Sequence, residues 1–396
     1  MKGKKRIPLL LKVIIAIILG VVIGQITPSF LVRLMNTFNC LFDQLLKFII
    51  PLIILGLVTP AIAEVGKGAG RMLAVTTGLA YLFTVFSGMF AYTVSTTLLP
   101  SLVGRGDTAV LGTAAIQFAP FFTITIPPMM DVMTALALSF VLGLGIAVFR
   151  SPTLQQGFNE LRDIVTKTIS VVIIPLLPPY IFGLFLDMTA AGQVGAILAD
   201  FILLILVIFA MTAVMLLIQF SVAGIVTRRN PLRLLGTMLP AYFTALGTSS
   251  SAATIPVTLR QSVATGVRPE VAGFVIPLCA TIHLSGSTLK ITSCAVMLMM
   301  MLGMDCNLQL MTGFVLMLGV VMVAAPGVPG GAIMAALGVL DSILGFGAKE
   351  QAMMIALYIA MDSFGTACNV TGDGSIALIV DRLFRKKSAS GQTPAA

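Results

Sequence analysis

The chain has 396 residues, of which 58% are hydrophobic and 10% are charged, and its formal net charge is +9. Soluble domains carry nearer a quarter charged residues, so this composition excludes a soluble globular protein and indicates a polytopic α-helical membrane protein. The basic residues form no long stretch interleaved with aromatic side chains, which gives no reason to expect a nucleic-acid partner. The partner that the composition predicts is the lipid bilayer.

Six apolar segments occupy the first part of the chain. Most of them reach the roughly 20 residues that a helix needs to cross a bilayer. Basic residues cluster at both termini and in alternate loops, and by the positive-inside rule these clusters face the cytoplasm. We therefore expect a multi-pass protein of the plasma (inner) membrane with both termini cytoplasmic. The predicted spans are 8–30, 35–63, 72–100, 129–149, 165–190 and 199–227.

The carboxyl-terminal third departs from this simple alternation. Residues 234–259 are apolar but are interrupted by Gly247-Thr-Ser-Ser-Ser251, and both flanks are basic, which predicts a re-entrant hairpin. Residues 305–341 predict a second hairpin from the opposite side, with its tip at Pro326-Gly-Val-Pro-Gly-Gly331. A long span follows each hairpin, at 271–302 and 349–383. The predicted fold is an all-α polytopic membrane protein with eight transmembrane helices and two oppositely directed re-entrant hairpins in an inverted repeat.

This reading divides the chain into three parts. Residues 1–228 hold the first six transmembrane helices. Residues 229–386 form the hairpin, helix, hairpin, helix core, which is expected to carry the substrate and ion sites because secondary transporters bind at broken helices of inverted repeats. Residues 387–396 are rich in small and polar residues and are predicted to be a disordered tail.

The last predicted span carries unusual polar residues. Asp362, Asn369 and Asp373 lie in an otherwise apolar segment. A carboxylate in hydrocarbon is costly unless a cation or hydrogen-bond donor meets it, so intramembrane acids usually mark a substrate or ion pathway. The two carboxylates are eleven residues apart, about three helical turns, and so lie roughly on one face. They could serve a cation and an amine; the alternative is a structural salt bridge between packed helices.

Three motifs resemble those of the dicarboxylate/amino acid:cation symporters, the family of glutamate-transporter homologues. They are Thr248-Ser-Ser-Ser-Ala-Ala-Thr-Ile-Pro-Val-Thr258, the Pro-Gly hairpin and Asn369-Val-Thr-Gly-Asp373, and the resemblance covers essentially the whole chain. It implies a secondary active symporter that forms a homotrimer and works as an elevator. Helices one, two, four and five would be the scaffold, and helices three and six would move with the hairpin core. It implies no cofactor besides the transported cation, sodium and/or proton.

The resemblance also implies roles for individual residues. Asp362 would hold the α-ammonium of an amino acid, Thr366 and Asn369 its α-carboxylate, and Asp373 a sodium ion. The implied substrate-binding residues are Ser249, Ser250, Ser251, Gly327, Val328, Asp362, Gly365, Thr366 and Asn369. The implied sodium ligands are Tyr81, Thr84, Thr281, Asn369 and Asp373.

The first departure from the family pattern concerns the substrate. Family members that carry acidic substrates place an arginine at the position of Gly365 or of Thr248, and this chain has neither. Because Asp362 is kept, the expected substrate is a small neutral amino acid such as serine, alanine or threonine, with Gly365 leaving room for its side chain. A dicarboxylate or acidic amino acid is the alternative substrate.

The second departure concerns the coupling ion. Where the family carries Asn-Met-Asp-Gly-Thr, this chain reads His283-Leu-Ser-Gly-Ser287, and Lys290 follows on the same helical face. Lys290 could replace one sodium by pairing with Asp362 or Asp373. Alternatively, His283 and Lys290 could change protonation during a proton-coupled cycle. In a third interpretation His283 is a hydrogen-bonded core residue and Lys290 extends to an interface.

Functions of other classes fit the sequence less well. An intramembrane enzyme is not expected, because the chain has one histidine, no metal-ligand cluster and no nucleophile–base pair beyond the serine run. An anion-conducting channel would not need an amine-binding Asp362.

Overall fold

The computed structural model describes residues 9–67, 71–102, 118–192, 194–325 and 330–385. All of the regular secondary structure in these ranges is helical, as expected for a chain whose backbone groups must be satisfied within the bilayer. The tail predicted at 387–396 lies outside the described residues, as do Gly327 and Val328 of the second hairpin tip.

The first six predicted spans coincide with helices. Most predicted ranges overlap one helix, but 8–30 ends inside the second helix, and 165–190 falls on a helix interrupted by one π-helical turn at Ile169–Ile173. The helices are α1 (Leu9–Gly24), α2 (Ser29–Lys67), α3 (Arg71–Leu102), α4 (Val132–Phe149), α5 (Pro152–Thr168), α6 (Ile174–Ala190) and α7 (Val194–Thr227).

The carboxyl-terminal core consists of four helix pairs. The first pair turns at the predicted hairpin tip, around Ser249, and the second predicted tip lies between the two helices of the third pair. The pairs are α8 (Pro231–Thr248) with α9 (Ser251–Ala264), α10 (Pro269–Ile282) with α11 (Ser285–Met301), α12 (Leu308–Val323) with α13 (Gly331–Leu344), and α14 (Ala348–Ala360) with α15 (Asp362–Phe384).

Both long spans of this core are broken, where the sequence analysis expected continuous helices. The span at 271–302 is interrupted at His283 and Leu284, where His283 has extended backbone angles. The span at 349–383 is interrupted at Met361, and its two halves are bent by 64°. Broken helices leave backbone N–H and C=O groups without intrahelical partners, so both breaks can bind polar groups.

The number of membrane crossings stays a prediction. Within the described ranges, five helical segments are long and apolar enough to cross a membrane, when α5 with α6 and α10 with α11 are each counted as one segment. The bent pair α14–α15 would make a sixth. Helices α1, α4, α12 and α13 are apolar but shorter.

Helix α15 lies at the centre of the core. It packs against α7, α8, α9, α10 and α11, and its residues from Gly365 to Asp381 are buried without interruption. Outside this core, α2 packs against α4, α5 and α6, while α1 packs against α6. This grouping places the polar residues of the last span in the interior of the core. The division into a fixed and a moving part stays a prediction.

Candidate substrate and ion site

Both hairpin tips reach the start of α15. Ser249 has a left-handed backbone at the first tip, and its hydroxyl lies 2.6 Å from the hydroxyl of Ser363. The backbone N–H of Gly330, beside the second tip, donates to Asp362 Oδ2 at 2.8 Å. Ser250 caps α9 by accepting a hydrogen bond from the N–H of Ala253. Ser249 and Gly330 therefore converge on the start of α15 from the two predicted hairpins.

Asp362 is the acidic group at this convergence. Its side chain is buried, and its Oδ1 lies 3.7 Å from the Nζ of Lys290. Thr366, one turn later, donates its hydroxyl hydrogen bond to the Asp362 carbonyl at 3.0 Å. In this conformation the carboxylate has a cation on one oxygen and a backbone donor on the other.

Lys290 lies inside the protein and makes its contacts at the α14–α15 break. It is 0% exposed, and its Nζ donates to the carbonyl of Met361 at 3.1 Å. The same Nζ lies 3.8 Å from the ring centroid of Tyr358, a cation–π distance. Of the two partners considered for Lys290, the structure places Asp362 beside it. This position does not fit the interpretation in which Lys290 extends to an interface.

Gly365 is the residue that makes this position possible. A Cβ atom added at Gly365 would contact Nζ and Cε of Lys290. The expectation that Gly365 leaves room for a substrate side chain is therefore not met in this conformation, because the ammonium of Lys290 fills the space. The absent side chain at 365 and the lysine at 290 are separate departures in the sequence, but they are neighbours in the structure.

Asn369 ties α15 to the break between α10 and α11. Its Oδ1 accepts hydrogen bonds from the N–H groups of Gly286 at 2.8 Å and Ser287 at 3.3 Å. Its Nδ2 donates to the hydroxyl of Ser287 at 3.0 Å. The amide thus satisfies the first turn of α11, and its predicted contact with a substrate carboxylate stays a prediction.

His283 pairs with Asp373, which lies about three helical turns after Asp362 on α15. His283 and Asp373 are called the deeper pair. Its Nδ1 lies 2.9 Å from Asp373 Oδ1, and both side chains are buried, with exposures of 0% and 1%. The Nε2 atom of His283 has no hydrogen-bond partner in the described part of the chain. Each carboxylate of α15 therefore has a basic partner on the broken span formed by α10 and α11. Lys290 pairs with Asp362, and His283 pairs with Asp373.

Gln219 lies beside the deeper pair and is absent from the residues predicted from the sequence. Its Nε2 donates to the Ser285 hydroxyl at 3.0 Å, and the Ser87 hydroxyl donates to the Ser285 carbonyl at 2.8 Å. A Cβ atom added at Gly372 would contact both Gln219 Oε1 and His283 Cε1. The available signal was a lone amide in the very apolar segment Phe201–Thr227.

Comparison with known proteins identifies the family. The model described as the sodium:dicarboxylate symporter family matches residues 9–383. The chain belongs to the sodium:dicarboxylate symporter family. It is therefore a membrane transporter that couples movement of a small molecule to a cation, and the family's members are transporters rather than enzymes. The resemblance found in the motifs is confirmed.

Individual relatives of this symporter are similar at moderate identity. Serine/threonine transporter SstT of Acinetobacter baumannii (strain AYE) is 28% identical over 97% of this chain and 98% of its own length. The serine/threonine transporter SstT of Streptococcus thermophilus (strain CNRZ 1066) is also 28% identical, over the same shares. Excitatory amino acid transporter 4 of Mus musculus is 28% identical over 71% of this chain and 51% of its own length.

The other predicted ion ligands of this symporter differ in their hydrogen bonds. The Tyr81 hydroxyl donates to the Leu316 carbonyl on α12 at 3.2 Å, and the Thr281 hydroxyl donates to the Leu278 carbonyl at 2.8 Å. The buried Thr84 hydroxyl has no hydrogen-bond partner among the described residues. Their assignment as sodium ligands stays a prediction, as does that of Asn369 and Asp373.

Proposed function

We propose that this protein is a secondary active symporter that imports a small neutral amino acid, driven by a sodium and/or proton gradient. The observation that carries the proposal is Asp362, a buried carboxylate at the point where both hairpin tips meet the start of α15. The names of the SstT relatives, serine/threonine transporters, agree with a small neutral substrate. Assembly as a homotrimer and a cytoplasmic position of both termini remain part of the proposal.

The site offers complementary groups for the two ends of an amino acid. A buried carboxylate gains several kcal/mol from a well-placed cation, because leaving the charge unpaired is costly. Asp362 is thus suited to a substrate ammonium. The first turn of α9 starts at Ser251, next to the Ser249–Ser363 contact. A helix N-terminus supplies free N–H donors to an anion, which suits the substrate carboxylate.

One observation favours the alternative of a dicarboxylate or acidic amino acid. The ammonium of Lys290 lies against Gly365 and 3.7 Å from Asp362. If Lys290 left Asp362, it could pair with a second substrate carboxylate in the same pocket. The neutral substrate remains the better supported, because positions 365 and 248 carry no arginine and the SstT relatives are named serine/threonine transporters.

The pairing of His283 with Asp373 supports a proposal of reduced sodium coupling. Asp373 supplies one carboxylate but is held by His283. Ser285 stands where the family motif has a carboxylate, and its hydroxyl accepts from Gln219. Sodium prefers hard oxygen ligands, and imidazole is a poor substitute. We therefore propose fewer coupled sodium ions than in the family pattern, with proton coupling as the second possibility.

Uptake by purified protein in proteoliposomes tests the function. Sodium and proton gradients are imposed separately, and accumulation of radiolabelled L-serine, L-alanine and L-threonine is measured beside L-aspartate and succinate. We expect uphill accumulation of the neutral amino acids, which a channel cannot produce. Tight binding and accumulation of aspartate or succinate, with the neutral amino acids inert, would instead establish the alternative substrate class.

The deeper pair can be tested by returning His283 to the family residue. His283→Asn removes the partner of Asp373 but leaves Ser285 without a carboxylate, so sodium dependence should not rise to the family level. The double variant His283→Asn with Ser285→Asp supplies both oxygen ligands and should show steeper sodium dependence. The reversal potential of uptake against the sodium gradient measures this. Thr371→Val, a change at another buried site on α15, serves as control. Full sodium coupling in His283→Asn alone would contradict the proposal.

A further inference from the structure

Lys290 and Asp362 form a buried ion pair. The ammonium is 3.7 Å from Asp362 Oδ1 and donates to the Met361 carbonyl. On the other oxygen, Asp362 accepts the N–H of Gly330 beside the second hairpin tip, while Ser363 bonds Ser249 at the first tip. The lysine thus occupies the place next to Asp362 that a substrate ammonium would need.

The pairing matters because the buried carboxylate of Asp362 would be destabilising without a cation. Burial removes the Asp362 carboxylate from water, and an uncompensated buried charge is strongly destabilising. With Lys290 in place, the carboxylate is compensated without any ligand. When an amine enters, two ammonium groups would share one carboxylate, and their mutual repulsion disfavours that state.

The ammonium group of Lys290 has other stabilising neighbours besides Asp362. Its flexible four-carbon stem allows the ammonium to move, and the Met361 carbonyl and the Tyr358 ring already lie within 3.1 Å and 3.8 Å of Nζ. These two groups can keep the ammonium stabilised after it leaves Asp362. The lysine can therefore alternate between the carboxylate and its neighbours without leaving the interior.

We propose that Lys290 is the counter-ion of the unloaded transporter, which pairs with Asp362 so that the empty carrier can return across the membrane with its carboxylate compensated. This inference rests on the proposed function, because it requires a substrate with an ammonium group. A transporter must return empty after each net import step, but not when it exchanges one substrate molecule for another. Lys290 is then needed for net uptake and is dispensable for exchange.

The test compares net uptake with exchange in proteoliposomes that contain the full chain. Net uptake uses radiolabelled L-serine outside substrate-free vesicles, and exchange uses vesicles preloaded with unlabelled L-serine. For Lys290→Met we expect net uptake to fall about 20-fold or more while exchange stays within about threefold of the unchanged protein. Because the internal competitor is gone, the concentration of L-serine that half-saturates exchange should also fall severalfold.

Two further variants support the comparison. Lys290→Gln keeps a donor for the Met361 carbonyl without the charge and should show the same split, which guards against misfolding of the methionine variant. Thr292→Val changes another buried side chain of α11, whose hydroxyl has no partner among the described residues, and should leave both rates unchanged. Both variants are compared with the unchanged protein by size-exclusion profile and Tm.

The outcomes separate the two levels of the proposal. If the unchanged protein transports L-serine but both lysine variants lose exchange and net uptake equally, the counter-ion role is wrong and the amino-acid function stands. Retention of net uptake in both variants would also overturn the counter-ion role. If the unchanged protein transports no amine in either assay, the proposed function and the inference that rests on it both fail.

Discussion

Asp362→Asn should abolish binding and transport of amine substrates. The substitution keeps the shape of the side chain but removes the carboxylate at the meeting point of the hairpin tips. The ammonium–carboxylate pair in this buried site is worth several kcal/mol, so affinity for L-serine should fall about 100-fold or more. Binding to detergent-solubilised protein and uptake in proteoliposomes measure the loss.

A second effect of this variant distinguishes binding from folding. Without Asp362, Lys290 becomes an unpaired buried cation, and Tm should fall. In the double variant with Lys290→Met both charges are gone, so Tm should recover while binding stays absent. Asp381→Asn is the matched control, because Asp381 lies on the same helix but pairs with Arg268 at 2.6 Å, away from the site. Normal serine uptake by Asp362→Asn would refute the assigned role.

Gly365→Ala should impair transport strongly although it adds one methyl group. The added Cβ would contact Nζ and Cε of Lys290, so the ammonium must leave its place beside Asp362 and the Met361 carbonyl. Overpacking of this kind costs about 1–3 kcal/mol, and the displaced ion pair adds to that cost. We expect net uptake to fall about tenfold or more.

The control for this variant is another helical glycine. Gly273 on α10 has no atom within 4 Å of an added Cβ, so Gly273→Ala should be neutral or slightly stabilising, since alanine favours helix over glycine by about 1 kcal/mol. Combining Gly365→Ala with Lys290→Ala relieves the contact but leaves Asp362 without its cation, so net uptake should stay low. If Gly365→Ala transports normally, Lys290 does not depend on the space at 365.

Much of the fold follows from the sequence because bilayer thickness and charge placement leave few choices. Apolar length located α2, α3 and α7, and the polar interruption at Gly247–Ser251 located the turn between α8 and α9. The breaks at His283 and Met361 were not predicted. Serine and glycine follow each break, as at Ser285 and Gly286, but small residues also occur within packed membrane helices and mark no boundary by themselves. The first break is stabilised by the amide of Asn369, more than eighty residues later in the chain.

The sequence singled out several residues of the candidate site but not their pairing. Buried acids and a buried lysine are conspicuous in apolar spans, so Asp362, Asp373 and Lys290 could be singled out. Helical spacing alone left the partner of Lys290 open between the two acids. The choice depends on how α11 packs on α15, which brings Lys290 to Asp362 and His283 to Asp373. Tyr358 gave no sequence signal, since an aromatic residue in an apolar helix usually only packs.

The bond network of Asn369 has a consequence for the response to membrane voltage. By binding the N–H groups of Gly286 and Ser287, Asn369 fixes α11 to α15, so Lys290 and Asp362 belong to one body. Moving one elementary charge through the membrane potential involves about 2.3 kcal/mol per 100 mV. A lysine and an aspartate that travel together carry no net charge, so the potential does no work on the pair. In the proposed cycle, the Lys290–Asp362 pair therefore adds no voltage dependence to the return of the empty carrier.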